Sequence, residues 1–380
     1  SSNISDLVDK ATRNDFAAAG LVDLGNMMGA FKFVSEVEKA NGNIKKAYQE
    51  YLDKKQKANE EGTEFNEIEP RKDPLIPIIG CEFYISDRPE QKQFTKDDPD
   101  RRTNVVLLAK NFNGYKNLAK LSSLGYVNGF YFGVPRISRK MIAEYKEDLI
   151  AFTAGTSGDI PSTILEFGEQ KGEEIFKWWK DTFGDDFYVQ LQNHQVEEEE
   201  HLNEVLLEFA EKYEVKILAQ NETFYTEKSD ANIQDILYCI KDGEKLSSPV
   251  GKGFGKRRGL PSSEYYIKDT DDLRQAFIQF PDAFEAYTEL LAKFEPYTLK
   301  RDVLLPEFDI PEEFLSEEDK IDGGKRGENA YLRHLTYEGA NKKYDEITDE
   351  IRERLDFELE VIAKTGYPGY FLIVQDFCNE

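Results

Sequence analysis

The sequence predicts an α/β protein in which a parallel sheet carries its helices outside and closes into a barrel. Three observations point there. Short apolar runs alternate with segments of helical spacing as far as residue 225, the rhythm of repeated strand–helix units. Six such runs can be counted, with a seventh expected ahead of Ser1, and that number suits a closed barrel better than an open sheet. Several runs also end in a carboxylate, an imidazole or a glycine turn, which is where α/β proteins place their sites.

The elements follow in order. Ile4, Leu7, Val8, Ala11 and Phe16 fall near one face of a helix within 4–20. "LVDLGN" is a strand at 21–24 that stops at an Asp and a Gly turn, and a helix follows at 27–40. From 41 to 73 the chain is charged and weakly apolar, and reads as an inserted, exposed helix and loop. "IPIIGCEFYI" (76–85) is a strand, 94–104 a turn-rich loop, "VVLLA" (105–109) a strand and 114–126 a helix. A helix at 137–145 precedes a strand at 148–155. One or two helices opened by Pro161 occupy 161–183. Then come a strand at 186–192, a helix at 197–213, a strand at 215–220 and a helix at 228–241. Residues 262–294 read as a strand and two helices. The Pro- and acid-rich stretch at 301–327 reads as a linker between a first domain, 1–300, and a second, 328–380. The second holds two long helical patterns, one opened by Thr348 as N-cap, and then the apolar "FLIVQDF". The opening "SSNISDLVDK" reads as a trimmed start, and the last segment as an element cut short.

The bulk properties narrow the function. At 380 residues the chain exceeds one ordinary core. Its formal net charge of −25 argues against tight DNA binding by this chain alone, because phosphate contacts need clustered Lys and Arg. The main basic spot is "GKGFGKRRGL" at 251–260, most simply a solvated loop. No apolar run approaches a membrane span. Three cysteines, Cys81, Cys239 and Cys378, lie far apart, which suggests a reducing, cytoplasmic setting.

Strand ends offer Asp23, Glu82, Gly155, His194 and Glu222 on one rim. Carboxylates and an imidazole there suit a metal, but Asp before Gly is also ordinary turn chemistry. The chain has three histidines, and of His194, His201 and His334 only His194 follows a barrel strand. A multinuclear hydrolytic centre needs more donors than that. No GxGxxG after a strand, no GxxxxGK[ST] and no GxSxG is present. The aromatic "FKWWKDTFGDDFYV" is more simply core than a base-stacking platform.

"DLGNMMGAFKFV", "PIIGCEFYI", "VVLLAKNFNGYKNLAKLSSLGY", "DILYCIKDGEKL" and "YPGYFLIVQDF" resemble the alpha subunits of bacterial DNA polymerase III, the C-family replicative polymerases. The resemblance runs over nearly the whole chain. It implies a polymerase-and-histidinol-phosphatase (PHP) domain over 1–300, a seven-stranded β/α barrel, followed by the start of a mainly helical palm. It also implies a rim that has lost its metal. Where the family carries ligands, this chain has Leu24, Glu82, Asn104, Gly155, His194, Glu222, Phe224 and Gln234, beside Asp23. Leu and Phe have no lone pair to give, Gly has no side chain and Asn is a weak ligand. Leu24 and Phe224 are therefore expected to fill the former cavity, and a stranded Glu82 or Glu222 to need a hydrogen-bond or Arg partner, with Arg102 and Arg136 among the candidates.

The resemblance further implies DNA-templated synthesis by the parent chain from dNTPs with Mg, and replisome partners such as a sliding clamp and a proofreading exonuclease. No catalytic, cofactor or metal residue is then expected in this stretch. The barrel is expected to be a metal-free scaffold. Two alternatives are a metal-dependent phosphoesterase, possibly a 3′–5′ proofreading exonuclease, and a docking module for such an exonuclease through 41–73 and 251–260.

Overall fold

The apolar runs pair into one seven-stranded sheet in the computed structural model, which describes residues 3–251, 255–301 and 307–379. The strands are β1 (Ala18–Leu24), β2 (Ile76–Ile85), β3 (Thr103–Ala109), β4 (Arg136–Ile137), β5 (Leu149–Phe152), β6 (Phe187–Leu191) and β7 (Ile217–Ala219). The path is β1-β2-β3-β5-β6-β7, with β4 pairing β2 at the side. The sheet curls as a half-barrel, and β1 and β7 at its two edges are not paired with each other among the described residues.

The sheet is mixed rather than parallel. β1–β2, β2–β4, β5–β6 and β6–β7 run parallel, while β2–β3 and β3–β5 run antiparallel. The reason lies in the loop at 86–102. It contains no crossover helix, so the chain can only fold straight back on β2. The chain itself supplies a seventh strand, at 136–137. Two residues are too few for a periodic pattern to show. This strand is held by Arg136, fully buried, which donates to the carbonyls of Gly129, Pro89 and Gln91 and to Asp100 Oδ1 at 2.7–3.0 Å. The helix expected at 137–145 is confined to Arg139–Glu144, where Ser138 caps it by accepting from Met141 N.

The strands are apolar on both sides because both faces are covered. Cys81, Phe83, Leu107, Ala151, Val189 and Leu191 pack against helices, with Leu118, Phe176, Trp179 and Leu206 opposite them. Ile78, Leu108, Ile150, Phe152, Tyr188 and Leu218 meet Leu290 and Phe294 on the other face. One buried carboxylate ties the layers together. Asp159 accepts from Thr103 Oγ1 (2.7 Å), Arg139 Nε (2.7 Å) and Nη2 (2.9 Å), and Trp179 Nε1 (3.0 Å).

The expected insert is an extension instead. A single helix runs from Ala30 to Glu61, about 48 Å long at 1.5 Å per residue, and it ends at Gly62 in the left-handed region (φ 65°). Ile44 and Tyr51 are buried, and the return segment packs back through Phe65 on Tyr51 (5.2 Å) and Glu67 on Lys54 (2.9 Å). The helical stretch at 161–183 is two helices, Asp159–Phe167 and Glu169–Phe183, divided at Gly168. No strand forms at 262–268; Tyr266 makes an isolated bridge to Tyr225.

The chain divides into two compact units, Ser1–Lys300 and Arg301–Glu380. The second is helical: Glu317–Asp322, Arg326–Lys343, Asp349–Thr365 and Pro368–Asn379. Thr348 does cap its helix, accepting from Ile351 N at 3.4 Å. The expected linker is partly ordered by Arg326, which bonds Asp319 and Asp322; its residues 302–306 lie outside the described residues. Among the described residues no helix is long and apolar enough to cross a membrane.

Candidate functional site

The rim gathers the residues singled out from sequence. Leu24 at the end of β1 lies opposite Glu82 in β2. Asn104 enters the same rim from the start of β3, because β3 runs the other way. Gly155, His194 and Glu222 follow β5, β6 and β7. The curl brings the rim's far sides within electrostatic reach, since the charge of Glu82 acts on Glu222.

Asp23, Glu82 and His194 each have a protein partner. Asp23 Oδ2 accepts from Gly29 N at 2.6 Å, so this carboxylate ties the turn that starts the long helix. Glu82 Oε1 accepts from Asn104 Nδ2 at 2.6 Å. Burial pushes the Glu82 carboxyl up, and the Asn104 amide opposes that. Arg136 and Arg102 both turn instead to Asp100. An amide thus satisfies Glu82 without neutralising it.

His194 is fully buried. Nε2 accepts from Glu222 N at 3.0 Å, which leaves Nδ1 to donate to Glu199 Oε1 at 2.7 Å. Glu199 Oε2 also accepts from His194 N at 2.6 Å. The ring stacks on Tyr265 with centroids 4.1 Å apart and planes within 5°. Tyr265 O in turn accepts from Phe224 N at 2.9 Å. The imidazole is a staple between the ends of β6 and β7.

Glu222 is half-buried, and its carboxyl is pushed up to about 7, first by burial and then by the charge of Glu82, with His194 pulling the other way. Burial, Asp23 and Glu82 likewise push the Cys81 thiol up. Gly155 lies beside the Gln192 side chain. A Cβ there would lie 2.7 Å from Gln192 Oε1.

The apolar replacements behave differently from expectation. Leu24 is 45% exposed and fills no cavity. It is the last residue of β1, on the face that alternation turns to solvent. Phe224 is half-buried, its ring against Tyr265 at 5.7 Å. Gln234 is buried under its helix, with Oε1 lacking a hydrogen-bond partner. Of the basic loop at 251–260, residues 252–254 lie outside the described residues; Arg257 is buried on Asp235 (2.8 Å) and Arg258 stacks on Tyr238 (4.6 Å).

Sequence reasoning missed Glu199, Gln192 and Tyr265. Glu199 stood in plain view five residues past His194, in a run of four glutamates that reads as a solvated helix start. Nothing in the sequence marks Tyr265.

These residues do not fit a metal. Asp23, Glu82 and both His194 nitrogens are bound to protein groups, and Leu24, Gly155 and Phe224 have no donor. Among the described residues no three His, Cys, Asp or Glu side chains converge in a way that could hold an ion.

Fold and rim together define a PHP-type α/β half-barrel, and comparison with known families agrees. Residues 1–194 match the PHP domain family, so the chain belongs to that family. Residues 330–380 match a second family, described as the bacterial DNA polymerase III alpha NTPase domain. The chain is homologous to DNA polymerase III alpha subunits. It is 33% identical to that of Borreliella burgdorferi over 98% of this chain and 28% of the relative. It is 33% identical to that of Aquifex aeolicus over 99% and 30%, and 30% identical to that of Thermus aquaticus over 80% and 28%. The chain therefore spans less than a third of the length of these relatives.

Proposed function

We propose that this chain is part of a replicative DNA polymerase III alpha subunit, and that its PHP unit is a metal-free scaffold for the catalytic parts. The observation that carries this reading is His194. In a working site an imidazole presents a lone pair to an ion. Here that lone pair receives the Glu222 N–H, and the opposite nitrogen is committed to Glu199. Asn104 does for Glu82 what an ion would do, at lower charge. On this reading DNA-templated synthesis from dNTPs, with Mg, belongs to the parent polypeptide in the cytoplasm, and its clamp and proofreading partners belong there too. This chain alone makes no bond.

The test is metal content after dialysis without chelator, read by elemental mass spectrometry, together with melting in the presence and absence of EDTA. Less than about a tenth of an equivalent of Zn, Mn or Fe, and a melting curve unmoved by EDTA, are expected, because structural multinuclear sites retain their ions and stabilise the fold. A stoichiometric ion, or nuclease activity that disappears in His194→Ala, would instead establish the phosphoesterase.

A further inference from the structure

The helix at 231–242 is amphipathic in reverse. Its buried side chains are Gln234, Tyr238 and Cys239. Every Ile and Leu of the helix faces outward: Ile233, Ile236, Leu237 and Ile240 are 53%, 39%, 37% and 72% exposed. Their i, i+3, i+4, i+7 spacing places them in one stripe roughly 100° wide, the pattern by which a helix docks along its length. Leu246 and Val250, on the segment leaving the helix, are exposed as well. Over the same stretch the exposed cations Lys241, Lys245, Lys256 and Arg258 outnumber the exposed carboxylates Asp242 and Glu244. The chain as a whole stands at −25, so this is a local reversal of sign.

We propose that this stripe seats an apolar, carboxylate-bordered surface belonging to the same, longer polypeptide; the inference rests on the functional reading above. Two observations select that occupant. The stretch matched by this chain is 28% of the Borreliella burgdorferi subunit, so most of such a polypeptide lies elsewhere and is always at hand to cover the stripe. An aliphatic stripe with permanent cover from its own chain is never displayed to other proteins, which is the condition under which such a patch is tolerated. The cationic border selects an anionic rim on the surface that meets it.

Hydrogen exchange tests this on two chains, the 380-residue protein and a polypeptide of the relatives' full length. Amides of 231–242 exchange at least tenfold more slowly in the longer polypeptide. Ile236→Asp combined with Ile240→Asp abolishes that protection and lowers the longer polypeptide's melting temperature, while the melting of the 380-residue chain stays unchanged or rises. Equal exchange in the two wild-type chains overturns the proposal. So does a concentration-dependent dimer of the 380-residue chain that the double substitution abolishes, which would assign the stripe to a second copy. So does protection that appears only on adding a separate protein. If the helix is protected but the longer polypeptide makes no DNA, the docking stands and the functional reading falls.

Discussion

Two clusters of buried charge sit in the same barrel and are built on opposite plans. Asp159 is nearly inaccessible, yet it faces a guanidinium, an indole N–H and a hydroxyl that together satisfy it. The rim has Glu82 and Glu199 acting on Glu222, with one amide and one imidazole among them. A carboxylate with a cation holds secondary structure together. At the rim burial, and after it the charge of Glu82, push the Glu222 carboxyl up to about 7. On the proposed reading the rim is a former metal site, with uncharged donors where ions would sit.

The largest effect should come from breaking the balanced cluster. Asp159→Ala leaves Arg139 and the Trp179 N–H without their partner in the core, a loss on the order of 3–5 kcal/mol. Denaturant unfolding of the chain should show it as a lower midpoint with the slope retained. A loss below about 1 kcal/mol would mean that the cluster is no more important to the fold than a surface pair.

His194→Ala should come next. It removes the partner of a buried carboxylate, the acceptor for Glu222 N and the ring stacked on Tyr265. The expected cost is about 2–4 kcal/mol, smaller than for Asp159 because no guanidinium is left unpaired. The effect should be the same in EDTA and in added Zn. A cost that grows with metal would reverse the comparison between the clusters.

The third test uses pH. The Glu222 carboxyl is raised from the ordinary 4.5 to about 7 in the folded chain. The folded state therefore binds a proton that the unfolded state has released, between roughly 4.5 and 7. The associated stability is fully present below 4.5 and lost as pH rises through 7. Glu222→Gln should remove this dependence, stabilising the chain at pH 8 by an amount on the order of 1–3 kcal/mol and doing little at pH 4.5. Equal effects at the two pH values would show that the fold does not raise the Glu222 carboxyl.

What the sequence made legible follows from the range of the interaction. Helix faces, the Thr348 cap and the long strands are local, and periodicity showed them. Strand direction was less visible, because it depended on reading 86–102 as a hairpin-like return and not merely as a loop. The two-residue strand at 136–137 exists only through Arg136, whose partners lie up to 47 residues away. At the rim, the identities of Asp23, Glu82, His194 and Glu222 were visible, but their partners were not. Asn104 was read as a weak ligand when it is a donor to Glu82, and Tyr265 comes from a segment whose local pattern reads as a strand and says nothing of His194.

Leu24 should give the smallest effect and the sharpest reading of the rim. It was expected to plug the cavity, yet almost half of it meets solvent. Leu24→Ala should therefore stay within about 0.5 kcal/mol of wild type in the same unfolding measurement, where a plug would cost 2 or more. Leu24→His asks a harder question, since it places an imidazole where the resemblance implies a ligand. A metal needs several donors converging at once. The neighbouring Asp23 is committed to Gly29 N, Glu82 to Asn104 and His194 to Glu199 and the Glu222 main chain. Leu24→His should accordingly retain no stoichiometric Zn or Mn through dialysis. If it does, the hydrogen bonds of the rim give way to an ion easily, and the replacement of metal by protein partners is shallower than the geometry of His194 indicates.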